Sequence, residues 1–286
     1  LLYGEDGTLS RMAYGTAASI DAITLEDVKA FYAANYSPSI ANITFAGSPD
    51  QKRAVKALTT LAEKWSAKEV VLPQPVAGVA AKTGTIYFVD YPNAPQSMIV
   101  LAKTAMPFNN PDYYPAVIAN YKLGSGSQGM LFDVLRLQKG YTYGAYSNFM
   151  AAEHQNIFMA QSSVQGSVTM DAVKTFKDLI GGYSEMINDE MLASVKNSLL
   201  KSKTSSFETI GDILGMLNDI ANYNVPFDYV KQQENTINNI TVDQLKEIIT
   251  KHMNINDMIY VVVGDAKSQM KPLEQLGLGK PVLIQR

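Results

Sequence analysis

The sequence of 286 residues contains no cysteine and only two histidines, His154 and His252. Without cysteine the chain can form no disulfide and offers no thiolate as a nucleophile or as a metal ligand. We predict His154 in a surface connection and His252 at a helix end, where a cation stabilises the helix dipole. Because the two histidines lie 98 residues apart in the sequence, we expect this chain to bind no metal and no other cofactor.

Runs of basic residues and long hydrophobic runs are both missing. Lysine and arginine number 24 against 27 aspartates and glutamates, which gives a net charge of −3. This balance argues against binding to nucleic acid or to an anionic membrane surface, and the apolar runs are far too short to cross a bilayer. The chain starts at Leu1 without a methionine or a signal peptide, so we expect a mature or truncated product. We favour a secreted or periplasmic location.

Hydrophobic periodicity predicts alternating helices and strands. The first part of the chain has two predicted helices, at 24–35 and 50–65, with a strand at Asn42–Ala46 between them. A proline-rich stretch at 71–84 has no periodicity and indicates a linker. Later residues predict strands at 85–90, 97–105, 141–146 and 155–164. They also predict helices at 112–123, from 130, and from Ser167 or Thr169, and further helical segments over 189–224 and 227–237.

Two segments separated by 217 residues share one pattern. Thr24-Leu25-Glu26-Asp27 has the form of a helix capping box, and Thr241 with Gln244 repeats it. A period of this length is that of a domain. We therefore predict that residues 1–70 are the tail of a truncated first domain, that 71–84 are a linker, and that 85–286 form a complete second domain. A strand at 42–46 would then pair with an upstream fragment or with another copy of the chain.

The best candidate site is the stretch LRLQKGYTYGAYS, from Leu135 to Ser147. A short helix that ends near Gly140 and is followed by a strand would bring Arg136 and Tyr143 into a shared space. The residues alone also allow a blander interpretation, in which Arg136 pairs with Asp133 or Glu153 on a helix surface and Tyr143 is a half-buried strand residue. Tyr141 and Tyr146 are expected to pack.

A glycine-rich turn, LGSGSQG, precedes this stretch at Leu123–Gly129. Its spacing Gly124-x-Gly126-x-x-Gly129 also occurs in nucleotide-binding loops, which need a strand before the glycines and a helix after them. Here a predicted helix precedes the turn. A helix end followed by a flexible turn is therefore the favoured interpretation over a nucleotide-binding module.

Both the repeated segment and the block LGSGSQGMLFDVLRLQKGYTYGAYS resemble the pitrilysin family of zinc metallopeptidases, which includes mitochondrial processing peptidase. The resemblance covers nearly the whole chain. It implies an α+β fold in which a mainly antiparallel sheet packs against helices. It also implies two homologous halves that enclose a peptide, one of which carries zinc while the other donates an Arg and a Tyr, seven residues apart, to the substrate. Arg136 and Tyr143 match that pair, and we also predict substrate contacts from Gly124, Ser125, Gly126 and Ser127.

The zinc motif of that family, His-x-x-Glu-His, does not occur in this chain. The corresponding helix, at 112–123, presents Tyr113, Tyr114, Ala116 and Val117, and none of these is a zinc ligand. The resemblance therefore implies the substrate-binding, non-catalytic half of a peptidase, inactive alone, with zinc in an upstream half or subunit. The alternative is a non-peptidase scaffold subunit of the same fold. A His-x-x-Glu-His motif upstream would favour the peptidase.

Overall fold

The computed structural model describes residues 1–48, 50–76 and 78–285. Contacts divide the chain into two compact units. The first unit comprises Tyr3–Ala80 together with Ser205–Val225, and the second comprises Ala81–Thr204 together with the residues from Pro226 onward. The helices of the described residues, in chain order, are α1 (Ala17–Ala22), α2 (Leu25–Asn35), α3 (Gln51–Lys64), α4 (Tyr113–Gly124), α5 (Met130–Phe132), α6 (Thr169–Met186), α7 (Asp189–Thr204), α8 (Ile210–Tyr223), α9 (Tyr229–Asn239), α10 (Val242–His252) and α11 (Ala266–Gln269).

The first unit contains α1, α2, α3 and α8. Helix α2 begins with the predicted capping box: the Thr24 side chain accepts from the Asp27 amide, and the Asp27 carboxylate accepts from the Thr24 amide at 2.9 Å. Thr241 and Gln244 make the same pair of bonds at the start of α10 in the second unit. Both capping boxes are therefore confirmed, because each depends on four consecutive residues only.

The second unit contains a six-stranded sheet with the order β3-β4-β2-β5-β1-β6. The long central strand β2 pairs antiparallel with β4 and β5, and β3 pairs antiparallel with β4, whereas β1 lies parallel to β5 and β6. This arrangement confirms the predicted α+β class with a mainly antiparallel sheet. The strands are β1 (Ile86–Asp90), β2 (Gln96–Ala105), β3 (Thr142–Phe149), β4 (Asn156–Gln165), β5 (Ile259–Gly264) and β6 (Val282–Ile284).

One face of this sheet is buried under helices. Alternate strand residues, among them Phe88, Ile99 and Phe158, are fully buried and join one apolar cluster with helical residues such as Phe176 and Ile249. Because successive side chains of a strand point to opposite faces, their neighbours form a second face, and most of these are half-buried or exposed. The sheet thus has an inward face, against the helices, and an outward face.

Two local predictions are wrong. Residues 42–46 form neither a helix nor a strand, because a strand requires a partner and no other strand pairs with this segment in the described ranges. The cap predicted for α6 is also absent: Val168 holds the N-cap position, and the hydroxyl of Thr169 instead donates to the Gly166 carbonyl at 2.8 Å. The helical segments predicted over 189–224 are present as α7 and α8.

Candidate functional site

Arg136 lies on a wide helical turn. Helix α5 continues into a π-helical turn at Asp133–Gln138, and the fully buried Leu131 and Leu135 anchor this segment to the core. The backbone then reverses at Gly140, which has φ +67°, a conformation that costs glycine little. Single π turns occur often at functional sites. The expected short helix is therefore present, but it has a π turn that apolar spacing did not predict.

Tyr143 lies on the edge strand β3, beside a β-bulge. The pairing register of β3 with β4 shifts between Thr142 and Ala145. The Thr142 hydroxyl accepts from the Gly144 amide at 3.0 Å and donates to the Ser163 carbonyl at 2.6 Å. A bulge of this kind redirects the side chains around it, and Tyr143 is 83% exposed on the outward face.

The structure brings Arg136 and Tyr143 together. The guanidinium carbon of Arg136 lies 5.1 Å from the centroid of the Tyr143 ring, which is within the range of a cation–π contact. Among the residues that the structure describes, neither side chain has a hydrogen-bond or ion-pair partner. Asp133 instead accepts a hydrogen bond from the side-chain amide of Gln138 at 2.7 Å. The predicted alternative for Arg136, a surface ion pair, is therefore not the arrangement observed.

The two neighbouring tyrosines differ. Tyr141 packs against the core, as expected, and its hydroxyl donates to Asp171 at 2.8 Å. Lys139 also donates to Asp171 at 2.6 Å, and this bond is the main reason why the pKa of Asp171 is below its usual value. Tyr146 was also expected to pack, but it lies exposed on the outward face. The bulge sets these directions, and the residue sequence alone does not reveal it.

The glycine-rich turn follows α4. Gly124 is buried against β3, and a Cβ at this position would lie 2.7 Å from the Ser147 Cα. Ser125 is half-buried, Gly126 has φ +57°, and Ser127 is exposed. Helix α4 runs into the turn, and the turn itself contains a 3-10 segment at Gly126–Gln128. The element before the turn is therefore a helix and not the strand that a nucleotide-binding loop requires.

Helix α4, where the zinc motif would lie, is used for packing. Asn120 is buried, and its side-chain amide donates to the Ser147 carbonyl at 2.7 Å. Burial raises the pKa of Tyr114 to about 12, so its phenol stays neutral near pH 7. Within the described ranges, no group of three or more His, Cys, Asp or Glu residues could hold a metal ion. The described side chains therefore do not form a zinc site.

The two histidines have different surroundings. His154 lies 3.7 Å from Glu153 at the surface. His252 lies in the last turn of α10, as predicted, and its Nε2 is 2.9 Å from an Asp112 carboxylate oxygen that also accepts from Lys251 at 2.6 Å. The sequence did not predict this contact, because the two segments are 140 residues apart.

Comparison with known families identifies the chain. The family model described as the peptidase M16 inactive domain matches residues 22–199, which is more than half of the chain. The chain belongs to this family. The predicted resemblance to zinc metallopeptidases is thereby confirmed, as is the assignment to their inactive half. A search for membrane spans found no helix in the described residues that is long and apolar enough to cross a bilayer.

Three proteins that are similar to this peptidase M16 inactive domain show how far the similarity extends in sequence and in structure. It is 22% identical over 218 residues to an uncharacterized zinc protease of Streptomyces coelicolor, which covers 74% of this chain and 47% of that protein. It is 23% identical over 266 residues to the non-peptidase homolog YmxG of Helicobacter pylori, which covers 91% and 60% respectively. The crystal structure of a peptidase M16 inactive domain from Pseudomonas fluorescens superposes with a TM-score of 0.79 at 26% identity, over 90% of this chain and 62% of that one. The chain thus spans about half to two thirds of the length of these relatives.

Proposed function

We propose that this chain is the substrate-binding, non-catalytic half of a zinc metalloendopeptidase. In this proposal Arg136 and Tyr143 contact a peptide that is bound at a zinc site carried by an upstream half or a separate subunit. The turn from Gly124 to Ser127 borders the same site, where Ser125 and Ser127 contact the peptide and Gly124 positions the turn. Zinc, when bound to that other half, would supply the activated water.

The contact between Arg136 and Tyr143 is the observation that carries this proposal. A guanidinium offers a planar set of N–H donors, and a phenol offers one O–H donor. Both groups are free of protein hydrogen-bond partners within the described ranges and meet at 5.1 Å on the outward face. A backbone carbonyl of a bound peptide, and the oxyanion that develops from it, are acceptors that suit such donors.

The exposed apolar side chains of the first unit support the proposal of a zinc-carrying partner. Val28 of α2 corresponds to Leu245 of α10 in the repeated pattern, yet Val28 is 54% exposed and Leu245 is 2% exposed. Phe45 and Val262 differ in the same way, with 49% and 0% exposed. We infer that residues 1–70 complete a peptidase-like domain whose sheet is supplied by the zinc-carrying half. A second copy of this chain is the competing partner for the same apolar surface.

The non-peptidase homolog among the relatives supports a second candidate function, a scaffold subunit without peptidase activity. In that case Arg136 and Tyr143 would bind no peptide. The two functions differ in a direct measurement on this chain, which is the binding of an extended peptide.

Fluorescence anisotropy with a fluorescein-labelled unstructured peptide tests the proposal. We expect saturable binding that Arg136→Lys and Tyr143→Phe each weaken about tenfold, which is roughly the loss of one hydrogen bond from a charged or polar donor. Arg53→Lys and Tyr14→Phe are matched controls, because both lie in the first unit and Tyr14 is 88% exposed. Binding that is absent, or that the site and control variants weaken equally, would favour the scaffold.

A further inference from the structure

The outward face of the sheet carries an unbroken row of uncharged side chains. The pairing registers place Tyr146 beside Gln161, Gln161 beside Val100, Val100 beside Val261 and Val261 beside Tyr87. These five side chains come from five adjacent strands and are all half-buried or exposed. The row begins next to Tyr143, on the same strand as Tyr146, and is therefore continuous with the candidate site.

The six strands contain only two charged residues, Asp90 and Lys103. Both occupy inward positions by the alternation of their strands. Asp90 accepts from the Ala266 amide at 2.9 Å, and Lys103 forms an ion pair with Asp257 at 3.0 Å. No strand residue on the outward face is therefore charged, and a charged ligand side chain would find no counter-charge on these strands.

A groove of about 350 Å³ opens in this face beside Tyr143. Its lining includes Met98, Gln161 and Ser163, with Tyr143 and Tyr146. Its volume lies at the small end of the range of roughly 300–1,000 Å³ that is typical of ligand clefts. Methionine and tyrosine adapt to apolar groups of different shape, while Gln161 and Ser163 offer hydrogen bonds to an amide or a hydroxyl.

We propose that this groove selects peptide segments whose side chains are uncharged, either apolar or amide-bearing, next to the residue held by Arg136 and Tyr143. The proposal rests on the proposed peptide-binding function. Its physical basis is desolvation: a carboxylate or an ammonium group that enters the groove loses water and gains no opposite charge from the strands. The nearby Arg136 guanidinium, beside Tyr143, is engaged by the peptide backbone in the proposed function. An uncharged side chain loses little and gains apolar contact.

Three fluorescein-labelled peptides of equal length test this selection. They have the same flanking residues and differ only at the central positions. The first peptide carries leucine and glutamine there, the second carries glutamate, and the third carries lysine. In anisotropy titrations at fixed salt concentration, we expect the uncharged peptide to bind the wild-type chain about tenfold more tightly than either charged peptide.

Substitution of Ser163, which is exposed in the groove, provides the decisive comparison. We expect Ser163→Lys to shift the preference toward the acidic peptide, and Ser163→Asp to shift it toward the basic one. Ser194→Lys and Ser194→Asp add the same charges at an exposed position of α7, and should leave the preference unchanged. Far-UV circular dichroism confirms that each variant is folded.

The outcomes separate the two proposals. Equal affinity for all three peptides, or equal effects of the Ser163 and Ser194 variants, would overturn the selection while leaving the peptide-binding function in place. A chain that binds none of the three peptides would overturn the proposed function itself, and the selection with it.

Discussion

Gly124, the last residue of α4, packs directly on Ser147 of β3. A Cβ at position 124 would lie 2.7 Å from the Ser147 Cα, which is closer than a real Cβ can come without a backbone shift. The neighbouring bond from Asn120 to the Ser147 carbonyl fixes the same crossing. This contact places the glycine-rich turn beside the strand that carries Tyr143.

Gly124→Ala should therefore destabilise the chain, by about 1–3 kcal/mol, because it overpacks this crossing. Gly215→Ala is the matched control: Gly215 lies inside α8, and no atom comes within 4 Å of the place that an alanine methyl group would occupy. Alanine there should stabilise the helix by about 0.4–1 kcal/mol. Urea unfolding followed by circular dichroism measures both changes. Two changes of the same sign would show that the Gly124 contact is looser than described.

Asp112 predicts a pH dependence of stability. The Lys251 ammonium, and then His252, hold the pKa of Asp112 below its ordinary value of 3.8. Since the unfolded chain binds this proton more tightly, the stabilisation is complete above the ordinary carboxyl pKa and is lost as the pH falls through the lower folded value.

Asp112→Asn should thus lower the free energy of unfolding by about 1 kcal/mol at pH 7, and the difference from wild type should shrink as the pH falls from about 4 toward 2. Asp178→Asn is the control, because Asp178 pairs with Lys174 on the exposed face of α6, where an ion pair contributes little. A deficit in Asp112→Asn that stays constant down to pH 2 would contradict this account.

The exposed apolar surface of the first unit predicts unequal costs at equivalent positions. Leu245→Ala should cost about 2–5 kcal/mol, since it opens a cavity in the core. Val28→Ala should change stability by less than about 0.5 kcal/mol in the chain alone, because Val28 is exposed. Trp65, the only tryptophan, lies in the first unit. Its fluorescence therefore reports the unfolding of that unit, while circular dichroism reports the unfolding of the whole chain. A large cost at Val28 would mean that its side chain is already covered.

Metal content follows from the side chains of the chain. With no cysteine, two distant histidines and no suitable cluster among the described residues, the purified chain should retain less than about 0.1 equivalent of zinc after dialysis against a mild chelator. Inductively coupled plasma mass spectrometry measures this directly. One equivalent of zinc that survives dialysis would refute the prediction.

Local sequence determined some features and not others. The capping boxes at Thr24 and Thr241 were predictable, because each is closed by residues three positions apart. The absence of a strand at 42–46 was not predictable, because a strand depends on partners elsewhere in the chain. Its counterpart at β5 forms a strand because β1 and β2 flank it.

The candidate site shows the same division. The family resemblance pointed to Arg136 and Tyr143 as a pair. The apolar spacing did not indicate the π turn that carries Arg136, and the bulge beside Tyr143 depends on long-range bonds, such as that from Thr142 to Ser163. The exposure of Tyr146 and the contact of His252 with Asp112 arise in the same way. Residue type thus indicates which side chains could contact a ligand, while long-range contacts of the fold determine which side chains lie next to each other.

The most direct test measures kcat/KM of peptide hydrolysis after this chain is combined with its zinc-carrying half. Removal of one preorganised donor to a developing oxyanion typically costs about 2.7–4 kcal/mol. We therefore expect Tyr143→Phe and Arg136→Lys each to lower kcat/KM about a hundredfold or more, with unchanged thermal stability. Ser194→Ala, at an exposed position of α7 outside the proposed site and outside the first unit, should leave kcat/KM unchanged. Full activity in both site variants would contradict the central claim that Arg136 and Tyr143 contact the substrate.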